Sequence, residues 1–397
     1  MAGSRGHSEP GRARPTRRGL LLGAAVPLAA AAPFVGTASA STHPGEHAPS
    51  GGGWPRPPKV RRARPHPGLT RAFERYGNSG DGWSGADSTY SIRMPGGRQL
   101  WMFSDTFFGP VNADGSRPDD TPIINNSFVL VDKDGLSTVH GGTDAEPTAV
   151  LAHPQQDHWY WLGASTLSNG VTGRRTTLDI MFPHFIRTGD GMWDFEWRSN
   201  VLGRFDPNTF EPLSTHRMPS SAHIQWASWL QRHRGHTYIY GVEDRGEQKH
   251  MHIARVVGSD LRRRWRFFDG TGWSPYESDS ARVLTGVSNE YSVTPWRGGF
   301  LLVTQDTSTA FSPDILGYVA DTPTGPFSSP TLLYRTPETG ADGSYGDPDV
   351  FTYNPHEHPE LRRGNRLLIT YNVNSSFTDI LADVTKYRPR FVEVTVD

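Results

Sequence analysis

Acidic and aromatic residues recur at matched places along this chain. Asp87 opens the run "DSTYSIRM", Glu290 opens "EYSVTPW", and Asp347 and Asp349 flank Pro348 ahead of "VFTYNP". His223 stands at the corresponding entry to "IQWASWL", with Gln225 two residues on. A further run offers Asp157 and the aromatic group Trp159-Tyr160-Trp161, and Asp105 ends the apolar run "LWMFSD". Two carboxyl groups facing each other across a pocket are what cleavage of a glycosidic bond needs. One protonates the leaving oxygen, and the other activates water or attacks the sugar carbon. Apposed carboxylates also push one pKa upward, leaving one acid and one base at neutral pH. The catalytic candidates are therefore Asp87, Glu290, Asp349, Asp347 and Asp105. The candidates for holding a substrate are Trp159, Trp161, His223, Gln225, Trp226 and Tyr291, because aromatic rings offer flat apolar faces beside a polar handle. Plainer readings stand beside these. An Asp before a strand can be a turn former, His223 a hydrogen-bonded structural histidine or a metal ligand, and the tryptophans core. Asp105 has counterparts at Asp244, Asp306 and Asn374, polar stops to similar strands, which favours architecture. Asp87 stands where the copies differ, as an asymmetric site on a repeating scaffold requires.

Those residues need elements to carry them. From about Gly80 a unit recurs five times: a polar entry, a short strand, a more apolar strand, a polar stop, then outer strands. The copies begin at "ADSTYSIRM", "HWYWLGAST", "AHIQWASWL", "NEYSVTPW" and "DPDVFTYNP", a period of about 64 residues. A four-stranded antiparallel sheet with its loops fills such a period, so the expected fold is all-β, a five-bladed β-propeller. Its inner-strand starts converge at one mouth of a central channel. A β-sandwich is the rival, but it leaves the polar restart of each copy unexplained. Helix is expected only over one or two turns at residues 69–76 and in the hairpin "HPELRRG".

Composition agrees with many short strands: 43 Gly, 32 Pro and 12 Trp. With no cysteine there is no disulfide framework and no thiolate metal site. A net charge of −1 advertises no basic face, so nucleic acid is not an expected partner. Thr16-Arg17-Arg18-Gly19-Leu20-Leu21, an apolar run and Ala38-Ser39-Ala40 together read as a twin-arginine export signal rather than a membrane anchor. The expected organisation is signal 1–40, a Pro/Gly-rich linker 41–79 and a propeller domain 80–397, secreted and monomeric, with no membrane contact after signal removal. Metal signals are weak. "NSGDGWSGADS" is rich in oxygen donors but does not match an EF-hand loop, and His250 and His252 read as surface residues. No cofactor is called for, and a structural Ca²⁺ in the channel is left open.

The stretch "GADSTYSIRMPGGRQLWMFSDTFFG", with "HWYWLGAS", "SNEYSV" and "YGDPDVF", resembles a family of secreted bacterial propellers known only as domains of unknown function. That family is similar to endo-D-arabinanases and, more distantly, to five-bladed arabinanases, arabinofuranosidases and levansucrases. The resemblance implies an aspartate at the first inner strand as base or nucleophile, here Asp87, and a glutamate on a later inner strand as acid, here Glu290. In this chain the glutamate falls in the fourth copy rather than the third, which leaves Asp347 or Asp349 as substitutes. Ser104 stands where many relatives have glycine. The resulting expectation is a hydrolase of an arabinan-like or other furanose-rich polysaccharide. The alternatives are a non-catalytic carbohydrate-binding propeller and a protein-interaction scaffold.

Overall fold

Alternate residues of single strands are buried in different cores, and this organises the molecule. In Gln99–Phe103, Leu100 and Met102 join one cluster, while Trp101 and Phe103 join another with Leu368 and Phe391. In Gly299–Gln305, Phe300 and Leu302 go one way, Leu301 and Val303 the other. Side chains alternate across a strand, so a strand apolar at every position must have a neighbour on each face. Each fully buried side chain of this kind contributes about 1.5–3 kcal/mol.

The computed structural model describes residues 55–169, 176–191, 193–246 and 248–397. Five antiparallel sheets of four or more strands follow one another along the chain. Sheet 1 is Tyr90–Arg93, Gln99–Phe103, Ser127–Asp132 and Gly135–Val139. In sheet 2, His158–Tyr160 and Ser165–Asn169 both pair with Thr176–Arg187, followed by Phe195–Phe205 and Pro212–Arg217. Sheet 3 starts with Gln225–His233 and His236–Asp244, sheet 4 with Ser292–Trp296 and Gly299–Gln305. Sheet 5 is Phe351–Glu357, Arg366–Asn374, Pro389–Val396 and, returning from the other end of the chain, Val60–Pro65. First strands of successive sheets touch, and Tyr90 of sheet 1 meets His356 of sheet 5 with ring centroids 4.1 Å apart. Residues Arg187–Glu196 form a separate small unit, a hairpin tip held by Thr188 N–H donating to Asp194 O at 2.9 Å.

The expected linker is only partly a linker. Residues 1–54, with the whole of the expected export signal, lie outside the described residues. Val60–Pro65, however, pairs with Pro389–Val396, and Arg64 meets Glu393 at 2.9 Å. Proline and arginine are tolerated there because the strand is an edge. Helix α1 (Pro67–Gly77) follows, with Pro67 in its first turn and the His66 ring accepting from Leu69 N–H. It buries Phe73 against Trp83, Trp101 and Phe391. The "HPELRRG" turn is a 3₁₀ turn at Pro359–Leu361, and a short helix, α2, spans Phe377–Ala382.

Candidate active site

The hairpin of sheet 1 is broken on both strands at one level. Trp83–Ala86 pairs with Thr106–Phe108, and Tyr90–Arg93 pairs with Gln99–Phe103. Between them Ser88 and Thr89 take φ of 69° and 51°, left-handed conformations that non-glycine residues adopt only when their surroundings fix them. Asp87 lies at one break and Asp105 at the other. Asp87 N–H donates to Asp105 O at 3.3 Å, and Ser104 N–H to Asp87 O at 3.1 Å. The two aspartates are thus neighbours because the strands change partners there.

Other sheets interrupt their first strands as well. In sheet 2 the gap holds Trp161, Leu162, Gly163 and Ala164. Gly163 is required, since a Cβ there would lie 2.3 Å from Ala227 O. In sheet 5 the register shifts between Tyr353 and His356, with Asn354 at φ 53°. Glu290 lies two residues before the first strand of sheet 4, which begins at Ser292.

These interruptions aim side chains at one another. Tyr353 Oη donates to Asp87 Oδ2 at 2.7 Å, and Asn374 Nδ2 donates to Tyr353 Oη at 3.2 Å. Trp161 Nε1 and Asn125 Nδ2 donate to Asp105 Oδ1 at 2.8 and 3.0 Å. Ser88 Oγ lies 2.8 Å from both Glu290 Oε1 and Ser104 Oγ, and Asn354 Nδ2 donates to Glu290 Oε1 at 3.0 Å. Ser104 Oγ in turn accepts from Leu162 N–H at 3.1 Å. One network therefore joins sheets 1, 2, 4 and 5 around three carboxyl groups.

Their electrostatics differ from those of surface acids. Burial, then the neighbouring Asp105 charge, raises Asp87 to about 7 against the pull of the Tyr353 and Tyr387 hydroxyls. Burial, reinforced by the Asp87 charge, lifts Glu290 well above the carboxylate range. Glu290 Oε2 is 3.5 Å from His356 Nε2. Burial holds His356 well below its ordinary value, so this contact joins two uncharged groups rather than an ion pair. Glu290 keeps 18% side-chain exposure, while its Oε2 atom is buried. Both acids therefore favour their protonated forms far more than surface carboxylates do.

The remaining candidates fall elsewhere. Asp347 is tied to Lys386 at 2.5 Å, which holds its carboxyl below the usual value, and it accepts from Asp349 N–H at 2.9 Å. Neither residue is among the charges that shift Asp87 or Glu290. Asp347, Asp349 and Asp379 bring three carboxylates together, with the Lys386 ammonium already seated on the first. His223 is exposed, at φ 57°, edge-on to Trp197, and Gln225 is half-buried at the start of its strand. Trp159 is largely buried, its ring stacked parallel to that of Phe185. Two candidates are corrected outright. Trp226 is fully buried, its Nε1 donating to Glu277 Oε1 at 2.8 Å, and Tyr291 is fully buried, its hydroxyl donating to Gly241 O at 2.8 Å. Neither can stack on a substrate. His250 and His252, read as surface, are also buried, bonded to Thr285 and Ser280.

The site also contains residues not singled out in the sequence: Ser88, Tyr353, Asn354, His356 and Tyr387. Asn-Pro at 354–355 after an aromatic residue was the one local signal of a strand break.

No curated protein sequence matches the chain. A candidate hydrolase from Bacteroides ovatus has a similar structure, with TM-score 0.69 at 20% identity over 84% of this chain and 90% of that one. Weaker likenesses include an α-L-arabinofuranosidase from Podospora anserina, solved with cellotriose (TM-score 0.44, 10% identity, 81% and 93% covered). Another is a GH43_1 enzyme from Xanthomonas citri, solved with xylotriose (TM-score 0.45, 13% identity, 82% and 91% covered). Residues 70–396 match the profile of DUF5005, a domain of unknown function, and the chain belongs to that family.

Proposed function

We propose that this chain is an exported five-bladed β-propeller glycoside hydrolase acting on an arabinan-like or other furanose-rich polysaccharide, with Glu290 as acid and Asp87 as base or nucleophile. The observation that carries this reading is the joint elevation of Asp87 and Glu290 within one hydrogen-bonded cluster that also holds Asp105. Five sheets, each touching the next and the last touching the first, support the propeller.

In this mechanism Glu290 donates its proton to the glycosidic oxygen as the bond to the anomeric carbon breaks. Ionised Asp87 either takes a proton from the attacking water or attacks the anomeric carbon itself. Asp105 keeps Asp87 basic enough for this work, while Tyr353 and Tyr387 keep its ionised form accessible. Trp161 and Asn125 hold Asp105 in place. The half-buried Trp161 edge is the aromatic group best placed to face a sugar beside the carboxylates.

The test is product release from arabinans, galactans, fructans and mannans by the wild type, Asp87→Asn and Glu290→Gln. Release by the wild type with both variants at least ~100-fold slower is expected. Equal release by all three overturns the residue roles, and no release from any of the four favours a binding protein.

A further inference from the structure

Three histidines meet on sheet 2, on the face of its first strand opposite Trp159. His158 opens that strand, and His184 lies on the strand paired with it. His158 is opposite Ile186 and Tyr160 opposite His184, so the two histidines are diagonal neighbours on one face. His158 Nδ1 and His184 Nε2 are 3.0 Å apart. His153, from the preceding loop, stacks on both rings at centroid distances of 4.7 and 4.6 Å. Each residue offers one ring nitrogen, and the three nitrogens lie within 4.8 Å of one another.

We propose that His153, His158 and His184 form a binding site for one divalent first-row transition-metal ion, of the zinc, copper or nickel class. Three convergent imidazoles with no carboxylate among them suit those ions rather than calcium or magnesium. The group around them is ordered for ligation. His184 Nδ1 lies 3.2 Å from Ser199 Oγ, and a proton held there turns the Nε2 lone pair toward His158. All three rings remain half-exposed, so an ion can reach them. Two features work against the ion. His153 Nδ1 accepts from Gln155 N–H at 3.1 Å, so taking the metal at Nε2 gives up that bond. The Arg198 and Arg217 charges also act on His184. Affinity must therefore come from coordination rather than from the local field, and salt should not weaken it. The strand beginning at His158 leads into Trp161, which holds Asp105, so a bound ion ties the His153 loop to the edge of the carboxylate cluster.

The experiment is calorimetric titration of the untagged, chelator-treated chain with Zn²⁺. The expected result is one equivalent bound, with His158→Ala and His184→Ala each weakening binding at least 100-fold. Ser199→Ala, which keeps all three ligands, should weaken it roughly 10-fold. Copper(II) in place of zinc should give an electron paramagnetic resonance signal split by imidazole nitrogens. No uptake by the wild type overturns the proposal. So does uptake unchanged in the folded His184→Ala and Ser199→Ala variants. Uptake abolished by Asp379→Asn and weakened by salt assigns the ion to the acidic group at Asp347, Asp349 and Asp379, and equally overturns it.

Discussion

Removing the charge of Asp87 should stabilise the protein, and only above about pH 5. The folded state holds the Asp87 proton with a pKa of about 7, against an ordinary value of 3.8. Between those values the folded chain binds more protons than the unfolded one, so stability falls as pH rises through the window. At about 1.4 kcal/mol per pKa unit, the roughly three-unit difference amounts to at most ~4 kcal/mol, fully expressed above pH 7. Asparagine does not titrate, and its carbonyl still accepts from the Tyr353 hydroxyl. Asp87→Asn should therefore match the wild type near pH 4 and exceed it by about 2–4 kcal/mol at pH 8. Part of the gain comes through Glu290, whose own elevation the Asp87 charge reinforces. The assay is urea unfolding of both proteins at pH 4, 6 and 8, which requires no substrate. A gain of equal size at every pH, or a loss at pH 8, refutes the idea of a carboxylate held ionised at the expense of the fold.

Three further outcomes follow from the same geometry. Asp105→Asn removes the like charge beside Asp87, so the acid limb of the kcat/KM profile should move about one unit to lower pH. Tyr353→Phe removes a donor to the ionised form and should move that limb about one unit higher, with Tyr387 retaining the other bond; identical profiles for the two variants would contradict the assignment. Trp226→Ala should cost about 3–5 kcal/mol of stability, read by urea midpoint, because its indole is core and its loss removes the indole donor to Glu277 Oε1.

The architecture was legible because its signal is local. A polar entry followed by an apolar strand marks a sheet whose second strand is buried on both faces, and all five such starts fall on first strands. Asp87 and Glu290 were legible for the same reason, as entries that break the pattern. Adjacent residues caused the errors. Gln225 and Trp226 are neighbours, as are Glu290 and Tyr291, and in each pair the aromatic member went into the core. The residues that tune the carboxylates were out of reach, since Tyr353 is 266 residues from Asp87 and finds it only when the last sheet meets the first. Val60–Pro65 was hidden by its composition. An outermost strand carries little apolar pattern, and only pairing with the chain's final strand gives it a structure.

The central claim is that Glu290 supplies a proton to the departing sugar oxygen. It is tested most directly by comparing Glu290→Gln with the wild type on two substrates of the sugar released in the polysaccharide screen. One is the natural glycan, and the other is a 2,4-dinitrophenyl glycoside, whose leaving group departs without protonation. The account predicts a loss of at least ~100-fold on the glycan and less than about 10-fold on the dinitrophenyl substrate. Equal losses on both, or none on the glycan, would contradict it.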